Sequence, residues 1–196
     1  LYDTNFFNDV SLLFEKNILS IRVSENPIIQ SINIVGVKSK KYLDPLYEII
    51  TMKEKSSYVN DFVNSDLLKI RNSLKFAGFY FSKVEVDIKE NTNNTIDLIY
   101  NIDLGEKALI NNINFTGNKI FKDKKLRNVI VSEEEKFWKI VSNKKYLNEK
   151  QINLDTRLLK NYYLNNGYYD VVIESSSASF VGADMFNLNF NINAGN

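Results

Sequence analysis

The strongest constraint on this chain is that it repeats itself over a distance too long for a solenoid unit. Gly36 and Gly117 close two similar stretches, SINIVG and NINFTG, 81 residues apart. Gly78 and Gly167 end two helix-like runs 89 residues apart, and Gly105 and Gly195 end two strand-like runs 90 residues apart. Solenoid units span roughly 20–50 residues, so a period near ninety means whole small domains in series. The growth from 81 to 89 places an insertion of about eight residues between the two helices of the later copy. A blurred third copy opens the chain, where Asn5-Phe6-Phe7 stands in the place of Gly78-Phe79-Tyr80 and Gly167-Tyr168-Tyr169.

Each copy has the same grammar. A short alternating run (Ile32, Ile34; Ile113, Phe115) ends at a glycine and reads as a strand followed by a turn. Asp44-Pro45 then supplies an N-cap and a first-turn proline, and Asp123 caps the matching helix. A longer helix carries Val63, Leu67, Ile70, Leu74 and Ala77 on one stripe, matched by Ile152, Leu159 and Tyr163 behind a cap at Asn148. The helix ends at Asn5, Gly78 or Gly167, residue types that accept the positive φ of a sharp helix-to-strand turn. The aromatic pair that follows is expected to fold over the helix end and cover the sheet. Two alternating strands then form a hairpin, Val84, Val86 and Ile88 against Ile96, Leu98, Tyr100 and Ile102 in one copy. The result is an α+β fold: tandem β-α-α-β-β modules, each a three-stranded mixed sheet covered on one face by two helices.

Composition removes most chemistry. The chain has 44% hydrophobic and 13% aromatic residues, enough for packed cores, and a net charge of +1 that gives no global pull toward nucleic acid. The run Lys122, Lys124, Lys125 is answered by Glu133-Glu134-Glu135. With no cysteine and no histidine, the usual thiolate nucleophile, imidazole base and soft metal ligands are absent. No cofactor, no metal site and no catalytic residue is expected; paired acids such as Asp155 and Glu149, which general acid/base work would need, fall on an expected exposed helix face. No apolar run approaches the roughly 20 residues of a membrane-spanning helix. The chain begins in mid-pattern at Leu1, as an excised fragment would.

The order of elements, together with ENPIIQSINIVGVKS, NIDLGEKALINNINFTGNKIF, FWKIVSNKKYLNEKQ and LLKNYYLNNGYYD, resembles the POTRA (polypeptide-transport-associated) modules of BamA-type outer-membrane protein assembly factors of Gram-negative bacteria. Residues 1–25 resemble the C-terminal part of a first module, 26–104 a second and 105–196 a third. Val37, where the family more often has asparagine, and Ser175-Ser176-Ser177 depart from the pattern. The resemblance implies a periplasmic arm at the outer membrane, reaching the membrane only through a C-terminal β-barrel absent from this chain. It implies unfolded outer-membrane proteins and accessory assembly lipoproteins as partners, and no nucleic acid. Similar modules serve two-partner secretion, translocation-and-assembly transporters and division proteins, so that alternative stays open.

Parallel pairing of the first and last strands would put the middle strand at an edge, where an extended client can add itself through main-chain bonds. The expected docking positions are Ser82, Val84, Val86 and Ile88, with Val171, Ile173 and Ser175 in the later copy. The alternative is that these edges are merely exposed and blunted by Lys83, Lys89 and Glu174. Phe137 and Trp138 in the insertion form a possible partner loop, and Leu104, Gly105 and Glu106 a short joint between modules.

Overall fold

The computed structural model describes residues 4–117, 120–136, 138 and 142–195. The chain divides into two compact units, 1–74 with 82–104, and 75–81 with 105–196. In the first unit, β1 (Phe7–Glu15) and β2 (Ile18–Glu25) form a hairpin, followed by β3 (Ile28–Val35), α1 (Lys40–Ile49), α2 (Asn60–Phe76), whose last two residues fall in the second unit, β4 (Lys83–Glu90) and β5 (Thr95–Asp103). In the second come β6 (Leu109–Thr116), the five-residue α3 (Asp123–Arg127), α4 (Glu149–Asn165), β7 (Val172–Gly182) and β8 (Met185–Asn193). The two three-stranded sheets have identical topology, β3-β5-β4 and β6-β8-β7, each with one parallel and one antiparallel pair.

The alternation read from the sequence becomes the core of each unit. Ile96, Leu98, Tyr100 and Ile102 on the central strand of the first sheet, and Val63, Ile70 and Leu74 on α2, are all at most 5% exposed. The second core gathers Ile110, Ile113, Leu126, Leu147, Leu159, Tyr163, Leu188 and Phe190. Each large apolar side chain buried this way contributes about 1.5–3 kcal/mol. The β1–β2 hairpin is amphipathic too. Val10, Leu12 and Phe14 face Val23, Ile21 and Leu19 across the ladder, yet Leu12, Phe14, Leu19, Ile21 and Val23 remain 44–66% exposed.

Turn chemistry follows backbone demand. Lys16-Asn17 and Ala183-Asp184 have positive φ at both residues, as two-residue hairpin turns require, and Asn93-Asn94 do the same at the tip between β4 and β5. Asn5, Gly78 and Gly167 stand at φ 60°, 100° and 92°.

Several local expectations are corrected. Ser39, not Asp44, is the N-cap of α1; its carbonyl accepts from the N–H groups of Tyr42 and Leu43 at 3.0 Å, and Pro45 lies inside the helix. Asp44-Pro45 is a valid start signal locally, but the turn at Gly36 delivers the chain into helix sooner. Asp123 is the first residue of α3 rather than its cap, which is Lys122 without a side-chain bond. Asn148 does cap α4, its side chain accepting from the N–H of Gln151 at 3.2 Å. The aromatics after Gly78 behave differently from those after Gly167. Phe79 is buried, and Tyr80 packs at 5.4 Å on Phe186 of its own unit. Tyr168 packs on Phe121 and Tyr163, while Tyr169 is 80% exposed.

Asp155, expected on an exposed face, is wholly buried, and so is Asp66, which stands 89 residues earlier in the same repeat position. Asp66 accepts from the N–H groups of Thr51 (2.6 Å) and Met52 (2.9 Å); Asp155 accepts from those of Val131 (2.7 Å) and Ser132. Each carboxylate therefore ties the segment ahead of the long helix to the helix itself, satisfying N–H groups that burial would otherwise orphan. Burial raises the Asp155 carboxyl above its ordinary pKa, with the hydrogen bonds from Ser132 and Val131 acting against that rise.

Candidate functional site

Each sheet has two edges, and the two are treated oppositely. Along β3 the outward groups are taken. The N–H of Ile29 donates to the Ser56 carbonyl (2.9 Å), that of Ile32 reaches Glu54 Oε1 (3.5 Å) and that of Ile34 the Tyr47 hydroxyl (3.1 Å). The Ile29 carbonyl accepts from Lys55 at 2.8 Å. Along β6 the Ile110 carbonyl accepts from the Glu135 N–H (2.6 Å), the Ile113 N–H donates to Glu134 Oε1 (3.1 Å), and Arg127 Nη2 donates to the Ile113 carbonyl (2.7 Å). These edges are sealed by loops and side chains.

β4 and β7 are the other edges, and among the described residues no further strand pairs with either. Which residues face outward follows from the central strands. A Cβ on Gly36 would lie 1.8 Å from the Ile102 carbonyl oxygen, so Ile102 directs its carbonyl toward the β3 side. Its antiparallel partner is Val84, and in such a pair both residues point their main-chain groups away from each other. By alternation Val84, Val86 and Ile88 present N–H and C=O to the open side. The same reasoning applies in the second sheet, where a Cβ on Gly117 would lie 2.6 Å from the Ile192 oxygen and the partner of Ile192 is Ile173.

Here the register departs from simple alternation. A bulge at Glu174 separates Ile173↔Ile192 from Ser175↔Asn191, so Ser175 turns its main chain toward β8. The open-side residues of β7 are Ile173, Ser176, Ala178 and Phe180. Val171 precedes β7 and is 3% exposed in the core, and Ser82 precedes β4. Of the expected docking positions the structure thus brings Val84, Val86 and Ile88 together on one edge and Ile173 on the other, and moves Val171, Ser175 and Ser82 off them. A single-residue bulge leaves no mark in a run of serines, which is why Ser176, Ala178 and Phe180 were missed.

Little chemistry surrounds these edges. Among the described residues no group of acids could hold a metal ion. Asp97, on β5, has its carboxyl held below the ordinary value by the Ser31 hydroxyl at 2.6 Å and then by the Asn91 amide at 2.9 Å. Burial pushes the Tyr80 hydroxyl up to about 12, with Glu149 adding to the rise. Phe137 lies outside the described residues; Trp138 is 63% exposed, with the Lys136 ammonium 5.8 Å from its ring. Leu104, Gly105 and Glu106 follow β5 without regular structure, Gly105 at φ 61°. No described helix is long and apolar enough to cross a membrane, which says nothing of β-barrels.

The family model described as "POTRA: Surface antigen variable number repeat" matches residues 27–105 and again 108–195. The outer membrane protein assembly factor BamA of Neisseria meningitidis is 26% identical over 172 residues, 87% of this chain and 22% of that protein. The protein of the same description from Buchnera aphidicola is 25% identical over 188 residues, 92% of this chain and 30% of its own length. The chain therefore spans less than a third of the curated relatives it matches. Among solved structures, the Haemophilus influenzae BamA POTRA3-5 crystal structure covers 95% of this chain and 71% of its own, at 13% identity and a TM-score of 0.49.

Proposed function

This chain belongs to the POTRA family, and from that premise we propose that it is a non-catalytic periplasmic scaffold in the assembly of outer-membrane β-barrel proteins. Unfolded outer-membrane proteins are received as extended segments that add to the open edges of β4 and β7. Accessory lipoproteins dock on the same arm, and a β-barrel outside this chain holds the arm at the outer membrane. Residues 1–25 are the end of a first module, 26–104 a second and 105–196 a third, with Leu104, Gly105 and Glu106 as the joint. The exposed apolar face of the β1–β2 hairpin supports that assignment, since the same face of the other two hairpins is covered by helices.

The observation that carries the reading is the contrast between edges. β3 and β6 have their outward main-chain groups occupied, whereas β4 and β7 keep a row of groups available to a client strand, whose added bonds read little sequence. Names of relatives support the same process, because both matched proteins are outer membrane protein assembly factors. The test is amide hydrogen exchange with and without a synthetic segment of alternating apolar and polar residues. The open-side amides of Val86 and Ile88 should exchange readily in the free chain and become protected on binding. Bound peptide with unchanged exchange along β4 and β7 would move the client site elsewhere.

A further inference from the structure

The open edge of β4 is not open along its whole length. Arg71, on α2, reaches over and donates from Nη2 to the Val84 carbonyl at 2.8 Å. Val84 is the first residue of β4 whose main chain faces the open side, so the guanidinium occupies the place an added strand would use there. Among the described residues no other group outside the sheet bonds to the open side of β4. The second unit lacks the device. Lys160, 89 residues after Arg71 at the same repeat position, is exposed, and its side chain makes no hydrogen bond or ion pair among the described residues.

A charged, forked donor holds a carbonyl more firmly than a neutral one, and its planar geometry fixes where the bond can form. A strand pairing along all of β4 has to displace that donor, whereas one pairing at Val86 and Ile88 leaves it in place. We propose that Arg71 is a register-setting residue for strand addition on β4: it closes the Val84 end, so that an incoming strand pairs from Val86 toward Glu90. This rests on the strand-addition reading above and specifies where along the edge it happens. Arg71 positions the client through the edge and takes no part in chemistry.

The experiment maps exchange protection across the 196-residue chain with a proline-free ten-residue peptide alternating valine and threonine. Arg71→Met keeps the apolar stem and removes the donors; Arg71→Lys keeps one charged donor. In the unaltered chain, protection is gained at Val86 and Ile88 and not at Val84. In Arg71→Met protection extends to Val84 and the peptide binds several-fold tighter, while Arg71→Lys restores most of the original boundary. A loss of packing alone would lower protection throughout the first unit and leave the boundary where it was. If Val86 and Ile88 gain protection but Arg71→Met does not move the boundary, the register role of Arg71 is overturned and strand addition stands. If no β4 amide gains protection in any variant, strand addition on β4 fails and takes this inference with it.

Discussion

β4 and β7 hold the same place in two sheets of one topology, yet each is kept from sticking by a different device. β4 runs in unbroken register from Lys83 to Glu90, with Lys83, Glu85, Asp87 and Lys89 alternating along it and Arg71 over its first open carbonyl. β7 carries almost no charge and is interrupted by bulges at Glu174 and Val181. Charged side chains and bulges are two recognised ways of blunting an edge, and they differ in what they leave available. A charged but regular edge can still template a strand along the part that is not capped once a partner is aligned. A bulged edge offers only short stretches, here three evenly spaced residues, Ser176, Ala178 and Phe180. Duplication preserved the scaffold and let the edges diverge, so the two units should differ in how they accept an added strand more than in fold.

Two glycines give the sharpest break in the comparison. Gly36 and Gly167 have nearly the same φ, 94° and 92°, but a Cβ at Gly36 meets the Ile102 oxygen at 1.8 Å while one at Gly167 meets nothing within 4 Å. Gly36→Ala should cost about 4 kcal/mol, combining backbone strain with overpacking, and Gly167→Ala about 1–2 kcal/mol from strain alone. Urea unfolding followed by unit-resolved hydrogen exchange would read both. Equal costs would mean that the contact with the central strand does not dominate at Gly36. Next in size come the edges. The N–H of Val86 bonds to no neighbour in its sheet, so Val86→Pro should leave the first unit folded and weaken peptide binding there about tenfold, or about 1.4 kcal/mol. Ala178→Pro in the interrupted edge should cost about threefold, or about 0.6 kcal/mol. A larger loss from Ala178→Pro would reverse the ranking of the two edges.

Acid should move the units in opposite directions. Asp155 has a raised pKa, so the folded chain holds its proton more tightly than the unfolded chain does. Its contribution to stability is greatest below the unfolded value of 3.8 and declines as pH rises through the folded pKa. Asp97 has a lowered pKa; its contribution is present above 3.8 and is lost as pH falls through the folded value. Asp66 has the Tyr100 hydroxyl at 3.5 Å and Lys69 at 3.4 Å beside it, while the corresponding repeat positions of the second unit carry the apolar Phe190 and Leu158. Asp155→Asn should therefore flatten the fall in stability of the second unit between acid and neutral pH, and Asp97→Asn should remove part of the acid sensitivity of the first. Urea midpoints of each variant against the unaltered chain, taken from pH 3 to pH 7, would check both signs.

The topology could be read because its signals are local and doubled: a glycine after each first strand, an alternating hairpin, a period near ninety. Asp66 and Asp155 fall at the same position of the two long helices, but their burial was not legible, because aspartate on a helix is ordinarily a surface residue. The start of α1 was misplaced because the Asp44-Pro45 signal is satisfied by composition alone, whereas Ser39 is selected by where the turn at Gly36 releases the chain. The open edges were legible from connectivity, and Val84, Val86 and Ile88 from alternation. Arg71 was not, since nothing in sequence links a helix arginine to a carbonyl thirteen residues on. The residues of β7 past Glu174 were lost for a simpler reason: period-two reading fails at the first bulge.

The smallest effect concerns the insertion that distinguishes the second unit from the first. Trp138 is 63% exposed, and its ring lies near the Lys136 ammonium at 5.8 Å. An aromatic side chain that buries little of its surface contributes little to stability, and an exposed cation–π contact adds about 0.5–1 kcal/mol. Trp138→Ala should therefore lower the Tm of the second unit by only about 2–4 °C. If the insertion is a partner surface, the same variant should weaken capture of an accessory lipoprotein in the full-length assembly, because exposed aromatics are the residues that interfaces bury. A drop of about 10 °C would instead make Trp138 part of the core of its own unit, and the insertion would then be a longer route between two helices rather than a second difference in what the units bind.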